Sequence, residues 1–218
     1  MSTLLTLVRH GETDWNRERR IQGSTDIPLN DVGVAQATVA AHALADAGYA
    51  AVYASDLSRA LQTAAIIADA ASLAAPAAEP ALAERAFGEA EGLTHHEIVE
   101  RFPDDVVPGR ESRESVVRRS LPVLERIAAG HVGESVLVVT HGAVISSIVR
   151  HLTGGARPAE GEVIGNLSLS HLRHDGEALA LAEFNLPATP TQAEAFAVPA
   201  DSTSVSAPSS ADAEPAQV

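Results

Sequence analysis

The chain has 218 residues, 45% of them apolar, no cysteine and a net charge of −14. That length suits one domain with a full core and room for an appendage. The missing cysteines exclude disulfides, thiolate metal sites and cysteine nucleophiles; the acidity argues against a nucleic-acid partner, whose phosphates favour a basic face; and no apolar run reaches the roughly 18 residues of a membrane helix.

Leu4 to Val8 reads as a short buried strand. Arg9 and His10 interrupt the apolar run too early for a signal peptide, so a soluble cytoplasmic protein is the expectation. Asp31 to Ala47 reads as a helix, capped by Asn30 or Asp31 and stopped by Gly48. Ala50 to Ser55 is a second strand. Asp56 is placed to cap a helix from Leu57 to about Ala71, with Ala64, Ile67 and Ala71 on one face. The Pro-punctuated stretch Ser72 to Glu84 has room for one short strand. Thr94 and Glu97 form a capping-box pattern that opens a short helix ending near Arg101, and Phe102 to Ser112 is loop. A longer helix runs from about Ser112 to Ala129, closed by Gly130. Pro122 lies inside it and predicts a kink or a split. Ser135 to Thr140 is an apolar, β-branched strand, followed by a helix from Ala143 to Leu152. Leu167 to Leu172 and Ala178 to Phe184 form a terminal strand pair turned at Asp175 and Gly176.

From Pro187 onward Ala, Pro, Ser, Thr and acidic residues dominate. No Lys or Arg follows Arg173, so half of the net −14 belongs to that end of the chain. Such a composition cannot bury enough apolar surface to fold. The expectation is a catalytic domain over 1–186 and a disordered acidic tail over 187–218. Strands alternating with helices imply an α/β sandwich with a largely parallel sheet.

Two strand endings match. "LTLVRHG" and "VLVVTHG" are both apolar and both close on His-Gly, at His10-Gly11 and His141-Gly142. Ligands of open α/β sheets sit beyond the carboxyl ends of the strands, so both histidines should reach one crevice. The glycines let the backbone approach a ligand. The helix after His141 turns its free N–H groups toward the same place. Arg9 precedes His10, and Arg59 falls in the first turn of the helix after the second strand. Arginine's planar fork grips phosphate oxygens at any working pH. Two arginines, two histidines and a helix N-terminus make a site for a compact dianion. An imidazole among fixed cations stays neutral and can attack phosphorus. The leaving alcohol then needs a proton, and "ALAERAFGEAEG" offers Glu84, Glu89 and Glu91.

Five blocks, "LVRHGETDWN", "RRIQGSTDIPLNDVGVAQA", "SDLSRALQTA", "LAERAFGEAEG" and "VLVVTHG", occur in an order that resembles the histidine phosphatase superfamily, also called phosphoglycerate mutase-like. The resemblance runs from about Leu4 to Val144 and extends to about Phe184. It implies a three-layer α/β/α sandwich around a mostly parallel sheet. It further implies that His10 is the phosphate-accepting nucleophile, that Arg9, Arg59 and His141 surround the phosphoryl group, and that Glu84 is the general acid that later helps activate water. Asn16 and Gln22 match polar residues lining the phosphate pocket, the Gly142 N–H lies next to it, and Ser55 is expected close to the nucleophile. No metal and no cofactor are implied; the partner is a small phosphorylated substrate, with no membrane involved.

Other ionisable residues are assigned elsewhere. Glu12 is a positioning group, and Glu89 and Glu91 fit solvated loop charges. His42, His151, His171 and His174 fit surface or helix-end positions and His131 a loop. His95 and His96 open the helix that borders the substrate mouth. The chain departs from relatives at Ala90, where an aromatic is frequent, and at Arg110, where glycine is frequent. Only Asp104 to Val107 separate the two prolines of a segment that is often a longer cap. An open mouth favours hydrolysis over mutase chemistry, which must retain its intermediate. The alternatives are a phosphoglycerate mutase and, in another class, a non-catalytic phosphate-ligand binding module. A two-histidine metal hydrolase lacks the usual carboxylates.

Overall fold

In a computed structural model, whose described residues are 1–188, the chain runs β1 (Thr3–Arg9), α1 (Asp14–Arg17), α2 (Asp31–Leu44), β2 (Tyr49–Ala54), α3 (Ser58–Ala70), β3 (Ala77–Ala78), α4 (His95–Arg101), α5 (Arg113–Gly130), β4 (Ser135–Thr140), α6 (Gly142–Leu152), β5 (Ser168–His174) and β6 (Leu179–Pro187). The expected tail lies outside the described residues, apart from Pro187, which closes β6, and Ala188, which packs against the core.

The strands form one sheet in the order β3-β2-β4-β1-β5-β6. β3, β2, β4 and β1 are parallel, and β5 and β6 return antiparallel. β4 is buried at every position, because helices cover both faces of a parallel sheet. Its alternating side chains divide accordingly. Val136 and Val138 join Leu5 and Leu7 against Leu124 and Ile127 of α5 and Ile145 and Ile148 of α6. Leu137 and Val139 join Val8 and Val52 against Ala40, Ala41 and Leu44 of α2 and Ala60, Ala64 and Ile67 of α3. The result is the three-layer α/β/α sandwich. Each buried Val or Leu contributes about 1.5–3 kcal/mol. The second face is filled largely by alanine, which lets two helices lie close to the strands without aromatic side chains. Among the described residues no helix is long and apolar enough to cross a membrane.

Several local expectations need correction. The helix cap before α3 is Leu57, which makes no side-chain cap bond; Asp56 does not cap. Asn30, not Asp31, caps α2 by accepting from Gly33 N–H. α5 runs unbroken through Pro122. Pro122 and Arg118 are exposed, so water can bond the Arg118 carbonyl that lost its helical donor. His171 and His174 are buried on β5, not at the surface. Three positions apart, they point to opposite faces of the sheet, and both faces are covered there. His171 Nδ1 bonds Thr6 Oγ1 at 3.1 Å. α1 is an element that the sequence reading does not contain. Thr13 caps it through a reciprocal bond with Asn16, a capping box lacking the usual Glu or Gln.

Candidate active site

β1 and β4 pair in parallel through Arg9 and Thr140, and His10 N–H donates to the Thr140 carbonyl at 3.0 Å. With the strands in step, the next residue of each, His10 and His141, emerges at the same sheet edge. Their rings lie 5.1 Å apart, tilted by 59°, and both are buried. The matching His-Gly endings thus become one constellation.

His10 Nδ1 lies 2.7 Å from the Gly11 carbonyl. A carbonyl only accepts, so Nδ1 carries the proton and the lone pair is at Nε2. Burial pushes the His10 pKa well below the usual imidazole value; Arg9 and Arg59 push it further, and only the Gly11 carbonyl opposes them. His141 is depressed likewise, by burial first and then by His10, Arg59 and Arg9. Its Nε2 bonds Ser55 Oγ at 2.8 Å, while its Nδ1 is buried without a partner. Ser55 is fully buried and also accepts from Leu57 N–H at 3.2 Å. It therefore stands behind His141 and orients it.

Gly11 serves packing more than ligand approach. A Cβ there would lie 2.6 Å from the Gly33 carbonyl oxygen at the start of α2. Gly11 N–H donates to Thr63 Oγ1 of α3 at 3.1 Å, so two helices clamp the loop after the nucleophile.

Arg59 is fully buried. Its Nη1 and Nη2 donate to the Thr25 and Gly23 carbonyls at 2.9 and 2.8 Å. Arg9 Nη1 donates to the Ile164 carbonyl, and a Cβ on Gly142 would stand 3.5 Å from Arg9 Nε. The Nε of both arginines is buried without a partner. Among the described residues no group of three His, Asp or Glu is placed to hold a metal ion; the positive charge here is guanidinium.

Glu84 faces this cluster. Its Oε1 accepts from Arg85 N–H at 2.8 Å and its Oε2 from Ala143 N–H, in the first turn of α6, at 3.2 Å. Burial raises its pKa; the two N–H bonds and the Arg59 and Arg9 charges oppose this without overcoming it. Asn16 Oδ1 accepts from Thr13 N–H and Oγ–H, both at 3.2 Å. Gln22 Oε1 accepts from the same hydroxyl at 2.9 Å. With both oxygens committed to Thr13, the amide NH₂ ends are the groups left to face an anion.

Other residues hold these in place. Glu91 is an anchor, not a solvated loop charge: it accepts from Ser24, Thr25 and Phe87 through five bonds of 2.6 to 3.0 Å. It thereby fixes the loop whose carbonyls receive Arg59. Gly23 has φ +56, and a Cβ there would collide with the Glu91 carboxylate. Arg119 of α5 donates to the Ala81 and Glu84 carbonyls at 2.7 and 3.2 Å while paired with Glu111. Asn166 Nδ2 donates to the His10 carbonyl at 2.7 Å. Glu12 accepts from Asn30 Nδ2, and Glu89 pairs with Arg101 at the surface. Ala90 is buried in a cluster with Ile98 and Val107. His95 lines a cavity beside Arg85, and His96 is exposed outside it.

Comparison with known proteins agrees with this arrangement. The histidine phosphatase superfamily (branch 1) matches residues 5–187. The chain is 34% identical over 185 residues to the uncharacterized phosphatase PhoE of Bacillus subtilis (strain 168), covering 84% of this chain and 95% of that one. It is 35% identical over 178 residues to the probable phosphoglycerate mutase GpmB of Yersinia pestis (strain Pestoides F), covering 76% and 82%. Among solved structures, mycobacterial glucosyl-3-phosphoglycerate phosphatase in complex with VO3 aligns with a TM-score of 0.74 at 28% identity, covering 84% of this chain and 98% of the other. A match spanning nearly all described residues, on a fold with this sheet and these paired strand endings, makes the chain a member of the histidine phosphatase superfamily.

Proposed function

We propose that the protein is a metal-independent phosphomonoesterase that works through a phosphohistidine on His10. The observation that carries the reading is a neutral imidazole, its Nδ1 proton tied to Gly11, set between two buried arginines and opposite a carboxyl of raised pKa. Arg9, Arg59, His141 and the Gly142 N–H hold the phosphoryl oxygens, with Asn16 and Gln22 at the rim. His10 Nε2 attacks phosphorus, the ester P–O bond breaks, and the leaving oxygen takes the proton of Glu84. The resulting carboxylate then removes a proton from water, whose oxygen attacks phosphorus. The N–P bond breaks, and phosphate leaves. Fixed guanidinium charges stabilise the transferring group without reorganising.

The test is hydrolysis of p-nitrophenyl phosphate with excess chelator, followed by acid and alkali treatment of enzyme quenched during turnover. Chelator-resistant release and an acid-labile, alkali-stable phosphoenzyme are expected. His10→Ala should form none and lose at least about 10⁴-fold in kcat, with its thermal melt retained. A phosphoenzyme in that variant would sink the assignment.

The similarity to a probable phosphoglycerate mutase favours a second reading, isomerisation. Interconversion of 3-phosphoglycerate in the presence of 2,3-bisphosphoglycerate, without phosphate release, would establish it. The segment 102–112 that would have to retain the intermediate is short, with Val106 75% exposed, which favours hydrolysis.

A further inference from the structure

Arg85 directly follows the proposed general acid, and its guanidinium is held on two sides. Nε donates to the Glu111 carbonyl at 2.6 Å, and the guanidinium carbon sits 5.2 Å from the centroid of the Phe87 ring. Its terminal Nη atoms carry no hydrogen bond or ion pair among the described residues. The side chain is thus an oriented fork with free prongs. Arg119, its neighbour on Glu111, uses all three of its nitrogens on protein partners.

The fork borders a cavity of about 400 Å³ lined by Ile21, Arg85, Phe87, His95, Phe102 and Arg110 among others. This is the size of a small-ligand site. Ile21 precedes Gln22 and Arg85 follows Glu84, so the cavity adjoins the proposed phosphoryl site from two separate chain segments. The charge around it is not neutralised within the chain. Arg110 pairs with Asp105 at 2.8 Å, but neither Arg85 nor Arg113 has a carboxylate partner among the described residues. Burial, and then the Arg113 and Arg110 charges, lower the pKa of Arg85. A chain of net charge −14 therefore keeps an uncompensated positive field beside its general acid.

Resting on the phosphatase reading above, we propose that Arg85 recognises a second anionic group on the alcohol half of the phosphomonoester, the apolar cavity wall taking the carbon skeleton. A guanidinium fork fits a carboxylate or a phosphate bidentately. The preferred substrates are phosphorylated small acids or bisphosphates, not neutral sugar or aryl esters.

Two matched pairs test this on the full chain. 3-Phosphoglycerate against glycerol 1-phosphate differs by a carboxylate; fructose 1,6-bisphosphate against fructose 6-phosphate differs by a phosphate. The wild type should prefer the more anionic member of at least one pair by about tenfold or more in kcat/KM. Which pair shows it identifies the anion. Arg85→Gln should bring that ratio toward one, chiefly by raising KM for the anionic ester. Ratios near one in the wild type, or a ratio that Arg85→Gln leaves unchanged, would overturn the assignment and leave the phosphatase reading standing. Release of phosphate from none of the four esters or from p-nitrophenyl phosphate would overturn both.

Discussion

The two ends of the crevice are built differently. The phosphoryl end stands on regular elements: His10 and His141 on the ends of β1 and β4, Arg59 in the first turn of α3, Gly142 opening α6. Its charged groups are buried, and each is tied to backbone or to a buried hydroxyl. The leaving-group end stands on turns, with Gly88 at φ +57 and Asp105 at φ +55, and its arginines keep free nitrogens. Chemistry that is the same for every ester needs rigid placement. Recognition of a particular alcohol can reside on loops that accept substitution. Arg59 and Arg85 show the contrast in one residue type, the first locked on two carbonyls, the second held by Nε alone.

Glu84 is the joint between the two ends, and its removal should cost most. Glu84→Gln keeps the size and loses the transferable proton. The expected loss in kcat/KM is about 10²- to 10³-fold for alkyl phosphates and much less for p-nitrophenyl phosphate, whose leaving group departs without a proton. Because the Glu84 pKa is raised, the protonated acid survives to higher pH than an ordinary glutamate, and alkyl phosphate turnover should fall as pH rises through that value. An equal loss on both ester types would mean that Glu84 supports the fold of the site and does not donate the proton.

Arg59→Ala sharpens the contrast from the other side. It removes a fixed charge and leaves the Gly23 and Thr25 carbonyls unpaired, for an expected loss of about 10²-fold. That loss should be uniform across the matched ester pairs, whereas Arg85→Gln should be selective. Kinetics on the same four esters decide it, and a selective loss at Arg59 would erase the distinction drawn between the two ends.

What can be read from the sequence divides along the same line. The strand endings are legible because chemistry placed at a sheet edge leaves a local signature, an apolar run that stops on Arg-His-Gly or Thr-His-Gly. α2, β4 and the Thr94 cap are legible because periodicity and capping are local. The supporting residues are not. Asn166 reaches the His10 carbonyl across 156 positions of chain, and nothing around "VIGNLS" marks it. Glu91 reads as a solvated charge because its five donors come from two other turns, which only the fold brings together. His171 lies next to the end of a strand read as stopping at Leu172, where a polar side chain ordinarily meets water. The strand in fact continues to His174. Cover on both sheet faces, which no local pattern records, buries the two histidines.

Buried imidazoles extend the comparison beyond the site. His10, His141 and His171 are all held neutral by burial, but His171 has no arginine among the causes of its shift and takes no part in the proposed chemistry. Its pKa falls from 6.5 to about 4 through burial alone. The unfolded chain therefore binds its proton first as pH drops. The stability that depends on neutral His171 is fully present above about pH 6.5 and is lost progressively toward pH 4, on the order of 3 kcal/mol in all. His171→Asn keeps a group able to bond Thr6 Oγ1 but cannot titrate. Urea midpoints at pH 7 and pH 5 should therefore differ less for this variant than for the wild type, the remaining difference coming from His10 and His141. An identical pH dependence would show that the two active-site imidazoles alone set the acid sensitivity of the fold.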